Sequence, residues 1–310
     1  MARAAGMKAY LMLVPDRSER QFNSGWTSFQ QFDDLIAIVS VDGKDVYLEP
    51  GSRYEPYGQL DWQNSSVEGL RATDKDPVIA PTPIDGYADN STVRVANLTM
   101  DNRGAIQGSV NLRFSGAPAL HWRQQALKGD DESLRHSLRR ELEDMLPKSL
   151  DVTVKEVKGL EAYDEPLLVN YEIKGSLALP AGKRFMAPVD LFSAREPAAF
   201  PEKKRDTPVY FHYPRMVRDA VRINLPKDLT IEAAPVPSKV AMKGTAAYSM
   251  DVTAASDNLT VRRDYIFGAV IVPPSNYDTL RSFYSEFEAK DQESVILKNA
   301  SSATTASPGN

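Results

Sequence analysis

Short apolar runs separated by polar segments dominate the N-terminal part of the chain. Residues 8–14 are mostly apolar and predict a strand, whereas residues 15–31 are rich in Ser, Asn and Gln and predict a loop. The apolar runs 35–41 and 45–48 flank Asp42-Gly43, a dipeptide that favours a two-residue β-hairpin turn. The pattern therefore predicts three strands, two of which form a hairpin.

A more regular alternation of apolar and polar residues begins at about residue 91. Residues 92–100 and 106–114 alternate on either side of a turn at 102–104 and predict a second hairpin. Further strand patterns cover residues 152–157, 167–179, 208–213, 219–225, 229–234, 246–253 and 259–272. Residues 62–91 contain many Pro, Gly, Asp and Ser residues and show little periodicity, which predicts an extended connector.

Helical periodicity is clearest over residues 130–146. Asp130 or Asp131 can cap this helix, and Pro147 follows its end. Its apolar face consists of Leu134, Leu138, Leu142 and Met145. Two further helices are predicted over residues 118–127 and 275–288.

These elements predict an α+β chain that is mainly antiparallel β. The predicted domains are a partial N-terminal domain with a β-hairpin (1–61), the connector (62–91), a sandwich-like domain with a helical insert and a C-terminal helix (92–298), and a disordered tail (299–310). The tail is predicted to be disordered because it is small and polar.

The composition of the chain excludes several kinds of functional site. The 310 residues include no cysteine, which excludes disulfides, thiolate metal sites and a thiol nucleophile on this chain. The net charge of -5 argues against a nucleic-acid-binding surface. No apolar run is long enough to predict a membrane span, and Lys8 interrupts the only N-terminal stretch that could act as a signal peptide.

The segments 3–14 and 32–51 resemble the second half of a bacterial transglutaminase-like domain, which has a papain-like fold. In that family a cysteine opens a buried helix, which ends in an alanine- and glycine-containing segment similar to residues 3–6. A strand follows, as it does here at 8–14. The resemblance implies that the helix with the cysteine lies upstream of Met1.

The same resemblance points to two site positions. In the family, a histidine that follows Phe-Asn or Phe-Asp begins the next strand. Here Asp34 occupies this position, after Phe32-Asp33. A family aspartate lies near the end of the following strand in a Leu-Asp-Pro context, and Glu49 holds this place between Leu48 and Pro50.

These substitutions predict a degenerate active site. The family's chemistry resembles that of papain, in which a thiolate attacks an amide while histidine moves protons. A carboxylate at Asp34 holds no proton at pH 7 to give to a leaving amine, and its negative charge would raise the pKa of a nearby thiol. Asp34 and Glu49 are thus predicted to be non-catalytic.

Residues 92–298 resemble the β-rich domain of unknown function that follows the transglutaminase-like domain in one bacterial group. Three motifs carry this resemblance: R-x-x-P-V at 205–209, V-R-I-x-L-P at 221–226 and Y-x-x-L-R-x-F at 277–283. They are structural motifs, so the resemblance implies no chemistry for this domain.

The remaining candidates have plainer interpretations. Asp33, Asp34 and Glu49 could hold Ca²⁺ or Mg²⁺, but no loop with metal-ligand spacing accompanies them, so solvated acids and no metal or cofactor are predicted. His121 and His136 are predicted on the surface, and His212 in a sheet stripe of aromatic residues. The cluster Lys203-Lys204-Arg205 is predicted to be a solvated loop.

Three hypotheses about function follow. The first is a non-catalytic C-terminal portion of a transglutaminase-like protein that acts as a binding or scaffolding module, and Asp34 favours it. The second is a fragment of a thiol-dependent peptidase or acyltransferase with its cysteine upstream, and the third is an unrelated enzymatic role for the β-rich domain. The expected partners are an unidentified protein or peptide and the upstream half of the transglutaminase-like domain. The resemblance implies a bacterial periplasmic or cell-surface location.

Overall fold

The computed structural model describes residues 1–193 and 197–299. A 3-10 turn (Arg3–Ala5) ends at Gly6, which has a left-handed conformation. The N-terminal strands of the chain are β1 (Ala9–Val14), β2 (Asp34–Val41), β3 (Lys44–Leu48), β4 (Glu68–Arg71) and β5 (Val78–Pro81). They form one sheet in the order β3-β2-β1-β4-β5.

The predicted hairpin is confirmed. Strands β2 and β3 pair antiparallel from Val41 opposite Lys44 to Ala37 opposite Leu48. Asp42 and Gly43 both have positive φ angles, 50° and 77°, which a primed two-residue turn requires and which aspartate and glycine tolerate best. The sequence did not predict β4 and β5, which lie inside the predicted connector and extend the sheet beyond β1.

The rest of the described chain contains fourteen strands and three α-helices. The strands are β6 (Ser91–Met100), β7 (Ala105–Phe114), β8 (Leu150–Lys158), β9 (Leu167–Ser176), β10 (Leu179–Ala181), β11 (Arg184–Pro188), β12 (Val209–Tyr210), β13 (Arg215–Asn224), β14 (Leu229–Ala233), β15 (Ser238–Met242), β16 (Ala246–Ala254), β17 (Asn258–Phe267), β18 (Ile271–Val272) and β19 (Ser294–Asn299). The helices are α1 (Ala117–Ala126), α2 (Asp131–Met145) and α3 (Tyr277–Asp291).

An eight-stranded sheet organises this larger part, in the order β15-β16-β17-β13-β6-β7-β9-β8. All its neighbouring strands are antiparallel except β6 and β13, which are parallel. A four-stranded sheet, β10-β11-β19-β14, adds Ala187, Leu229, Val295 and Leu297 to the same core. This α+β, β-rich architecture is the one that the sequence predicts.

Two helices cover the inner face of the large sheet near its two ends. Helix α2 packs against β8 with Leu134, Leu138 and Leu142 buried, as its periodicity predicts, and Asp130 accepts a hydrogen bond from the Ser133 amide as the N-cap. Helix α3 packs against β15 and buries four aromatic side chains and Leu280. The strands between the two helices are left with a more open inner face.

A row of paired charges crosses the buried face of the sheet. The register places Arg94 opposite Asp219, and Asp219 opposite Arg263, on the neighbouring strands β6, β13 and β17. Asp219 binds Arg94 through two hydrogen bonds of 2.6 and 2.8 Å, and Arg263 makes a similar pair of 2.9 and 2.7 Å with Asp291. All four side chains are buried, so each charge depends on its partners for compensation.

Several boundaries differ from the sequence-based prediction. The strand predicted over 208–213 is limited to Val209–Tyr210, and the pattern at 259–272 breaks into β17 and β18. Strands β11, β15 and β19 were not predicted. Strands β11 and β19 are short and pair with each other although they are distant in the sequence, whereas β15 is a short strand that forms a local hairpin with β16. Of the predicted disordered tail, Asn299 ends β19 and the remaining residues lie outside the described residues.

No helix in the described part of the chain is long and apolar enough to cross a membrane.

Candidate functional site

The two degenerate family positions lie at one end of the N-terminal sheet. Asp34 is the first residue of β2, pairs with Val14, and is exposed. Glu49 follows the last residue of β3 and accepts hydrogen bonds from the Asp61 amide, at 3.2 Å, and the Asn64 side-chain amide, at 3.0 Å. The hairpin register therefore holds both carboxyl groups at the same end of the sheet.

The Glu49 carboxyl group keeps its proton to a higher pH than a solvated glutamate does. Burial is the main cause that raises the pKa of Glu49, and the charges of Asp61 and Asp34 raise it further, against hydrogen bonds that lower it. The influence of Asp34 on Glu49 is repulsive, unlike that of a histidine, which a carboxylate would orient by a hydrogen bond. No histidine is hydrogen-bonded to either carboxyl group among the described residues.

Asp33 has a structural role beside this site. One of its oxygens accepts a hydrogen bond from the Asp16 amide at 3.0 Å, and the other forms an ion pair with Arg20 at 3.2 Å. These contacts tie the loop before β2 to the end of β1. Within residues 1–193 and 197–299, no group of three or more acids or histidines has the geometry to hold a metal ion.

Three further acids near this end were not predicted as site residues. Burial raises the pKa of Glu55, Asp61 and Asp85, and the charge of a neighbouring acid adds to the shift in each case. They come from an irregular segment in which no periodicity indicates which side chains turn inward. For Glu55 and Asp61, the density of acids could have served as a signal, since five acids lie within residues 42–61. Asp85 lies outside this segment.

Arg17 and Trp62 join the N-terminal part to the β-rich part. The Arg17 guanidinium donates hydrogen bonds to the carbonyls of Trp62, Phe211 and His212. The Trp62 ring stacks on the His212 imidazole, with centroids 4.0 Å apart and planes 14° from parallel. His212 is thus part of a junction and not of a sheet stripe, because the chain leaves β12 at Tyr210.

The other candidates are more conventional. His136 lies exposed on α2 near Arg139, in agreement with the surface prediction. His121 is exposed, but it lines a cavity in the β-rich part. Partial removal of its imidazole from water there lowers its pKa. Lys203, Lys204 and Arg205 are all exposed, as the predicted solvated loop requires.

One face of the N-terminal sheet has exposed apolar side chains. The other face buries Met12, Val14, Ile36 and Ile38 in a small core of its own. Leu11 and Leu35 point the opposite way because side chains alternate along a strand, and they are 53% and 50% exposed. Ile79 on β5 adds a third side chain that is 48% exposed, next to an apolar groove of about 270 Å³ that Phe22, Trp26 and Phe29 also line.

Replacing Arg17 with alanine is expected to loosen the junction. The variant loses three hydrogen bonds from a charged donor and the cation–π contact with Trp62, and we expect docking to weaken by roughly 1.5–3 kcal/mol. Brief protease treatment should then release a fragment that begins between residues 70 and 95 faster than it does from the wild type. Arg20→Ala is the control, since its ion pair lies within the N-terminal part; equal release rates for the two variants would contradict this role of Arg17.

Comparisons with known proteins assign a family description to the last part of the chain. Residues 183–297, which run from just before β11 into β19, match a domain of unknown function with a solved structure, DUF3858. No curated protein matches the sequence.

Among solved structures, a putative protease from Parabacteroides distasonis ATCC 8503 is similar over 96% of this chain, with 11% identity and a TM-score of 0.45. The chain spans 41% of the length of that protein. A similarity at this level carries no argument about function. What the comparisons show is that residues 183–297 are similar to a domain of unknown function. This match assigns no chemistry to Asp34 or Glu49, which lie outside it.

Proposed function

We propose that this chain is a non-catalytic portion of a transglutaminase-like protein and acts as a binding module through its N-terminal sheet. The observation that carries the proposal is the apolar outer face of this sheet, formed by Leu11, Leu35 and Ile79 next to the groove. Contiguous exposed apolar surface is typical of a surface that binds a partner. A buried helix covers the corresponding sheet in the family that residues 3–51 resemble.

The absence of catalysis follows from the residues at the site. The chain has no thiol, and Asp34 stands where the resemblance places the histidine, so the cysteine–histidine pair of the family is missing. The resemblance favours a periplasmic or cell-surface location in a bacterium. The occupant of the apolar face is a helix-bearing segment or a peptide with an apolar face of its own.

Purified chain is expected to catalyse neither amide hydrolysis nor acyl transfer between glutamine- and lysine-containing peptides. The measurement is product formation from both kinds of peptide by mass spectrometry, with Asp34→Ala assayed in parallel. Turnover that persists through purification and is lost in Asp34→Ala would overturn the non-catalytic assignment.

The binding role is tested on the sheet face itself. Leu11→Gln combined with Leu35→Gln should reduce the binding of a hydrophobic dye by at least half, since these two side chains form the centre of the exposed face. Val236→Gln is the matched control because Val236 is 70% exposed but lies outside the sheet. If the control and the double variant lower dye fluorescence equally, the sheet face is not the binding surface.

A further inference from the structure

A cavity of about 400 Å³ opens on the inner face of the eight-stranded sheet. It lies over the central strands β6, β13 and β17, between the helices that cover the two ends of the sheet. Helices α1 and α2 contribute His121, Trp122 and Glu141 to one wall, and α3 contributes Tyr284 and Phe287 to the other. The volume is within the usual range for a pocket that binds a small molecule or the end of a peptide.

The cations at the base of this cavity are already neutralised. Arg94 is held by Asp219, and Arg263 is held by Asp291 and lies 3.3 Å from Asp219 and 3.4 Å from Asp190. Both arginines are buried and use their hydrogen-bond donors on these aspartates. They therefore give the cavity a rigid polar base without an available charge.

Arg215 is a different kind of cation. It begins β13 on the same face of the sheet as Asp219, since the two residues are four apart in a strand, and its side chain is exposed to the cavity. Its guanidinium lies over the Tyr265 ring, with the carbon 5.6 Å from the ring centre. Tyr284 and Tyr213 are its other strongest electrostatic neighbours, so the groups that act most strongly on it are phenols.

The acids of the cavity lie elsewhere. Glu288 accepts a hydrogen bond from the Ala199 amide at 3.0 Å, and Glu141 projects from α2 on the side of His121. Neither is among the groups that act most strongly on Arg215. One positive charge whose strongest neighbours are phenols thus faces a partly enclosed space.

The walls around that charge are aromatic. The rings that line the cavity belong to Phe114, Trp122, Tyr213, Tyr265, Tyr284 and Phe287. Tyr265 and Tyr284 are fixed by a 2.6 Å hydrogen bond between their hydroxyl groups, which keeps their rings in place beside Arg215. Rigid aromatic walls bind an apolar group, and a guanidinium binds a carboxylate through paired hydrogen bonds.

We propose that this cavity binds a carboxylate attached to an aromatic group, with Arg215 as the partner of the carboxylate. The C-terminal residue of a peptide that ends in an aromatic amino acid and a free aryl acid share this chemistry. The site is separate from the apolar face of the N-terminal sheet, so the inference goes beyond the proposed function and does not depend on it.

Titration calorimetry on the full chain tests the proposal with N-acetyl-L-phenylalanine and its neutral amide. The acid should bind about tenfold more tightly or better, because a hydrogen-bonded charge pair is lost with the amide. Arg215→Gln should remove this preference, and Arg215→Lys should keep part of it. Arg222→Gln is the matched control, since this substitution removes the same charge from the outer face of the same strand.

Additional probes separate the sources of the ligand. Peptides that end in phenylalanine, with a free or an amidated C-terminus, are compared with phenylacetate, and inorganic phosphate tests whether any anion is sufficient. Preference for the free peptide over phenylacetate indicates a peptide terminus, and the reverse indicates a small acid. Equal binding of phosphate and the aryl acids would overturn the role of the aromatic walls.

A measurement on the wild-type protein guards against variants that do not fold. Crystals soaked with 4-bromophenylacetate should show the anomalous signal of bromine between Trp122 and Tyr284, with the carboxylate at Arg215. Bromine at another place, no saturable binding of any aryl acid, or equal affinity for the acid and the amide would each overturn the proposal.

Discussion

Replacing Asp219 with alanine is expected to lower the free energy of unfolding by about 3–5 kcal/mol. Asp219 is buried and neutralises Arg94 through two hydrogen bonds while it also contacts Arg263. Without it, the contacts of the buried Arg94 charge are the Met145 sulfur and the Phe192 ring, and Asp190 is the acid that still acts on it. Urea unfolding at neutral pH gives the free energy of each variant.

The control is an exposed ion pair between β13 and its other neighbour, β17. Asp264 on β17 pairs with Arg218 on β13 at 2.8 Å, and both side chains are about half exposed. Asp264→Ala should therefore change the free energy of unfolding by only about 0–1 kcal/mol, because solvent screens an exposed pair. Losses of similar size in the two variants would show that the buried row does not contribute as the structure indicates.

A double variant separates a lost attraction from a buried, unpaired charge. Arg94→Leu combined with Asp219→Leu removes both charges and should recover at least half of the stability lost in Asp219→Ala. Arg263 still has Asp291 in this variant, with two hydrogen bonds of 2.9 and 2.7 Å. If the double variant is as unstable as Asp219→Ala, the loss of stability comes from lost packing and not from an unpaired buried charge.

Replacing Glu55 with glutamine is expected to stabilise the protein, by about 2–4 kcal/mol at pH 8. Burial is the main cause that raises the pKa of Glu55 from 4.5 to about 9, and the negative charge of Glu49 adds to it. Its carboxyl oxygens have no hydrogen bond of normal geometry among the described residues, although Ser52 offsets a small part of the shift. Glutamine is neutral at every pH and has nearly the same shape.

The direction of the pH dependence follows from the protons bound in each state. Between pH 4.5 and about 9 the folded chain keeps the Glu55 proton while the unfolded chain has lost it. The stability contributed by this proton is complete below pH 4.5 and is lost progressively as the pH rises to about 9. The advantage of Glu55→Gln should therefore be near zero at pH 4 and grow toward pH 9.

Melting temperatures measured from pH 4 to pH 9 test this expectation. Glu68→Gln is the matched control, because Glu68 is an exposed glutamate in the same N-terminal part. It should show no difference from the wild type that grows with pH. A Glu55→Gln variant that is destabilised at pH 8, or whose difference from the wild type does not vary with pH, would contradict the raised pKa.

The candidate site could be predicted only in part. The pairing of β2 with β3 follows from Asp42-Gly43 and the flanking apolar runs, so the sequence was enough to place Asp34 and Glu49 at the same end of a hairpin. It could not show that Glu49 is half-buried under Asp61 and Asn64, because those contacts depend on how an irregular segment folds back. The non-catalytic interpretation remains a prediction.

The sequence by itself determined the features that depend on near neighbours in the chain. Helix α2 follows from the spacing of its leucines and its Asp130 cap, and the hairpins follow from strand alternation and turn residues. These local preferences act within a few residues, so they can be read without knowledge of the rest of the fold.

The tertiary structure alone decided which distant residues meet. Arg94 and Asp219 are 125 positions apart, and only the parallel pairing of β6 with β13 brings them into register. The same pairing puts Arg215 above the row of charges and leaves a cavity where the helices do not meet. His212 stacks on Trp62 for a similar reason, because two parts of the chain dock there. Such contacts depend on long-range strand order, which no local pattern of apolar and polar residues specifies.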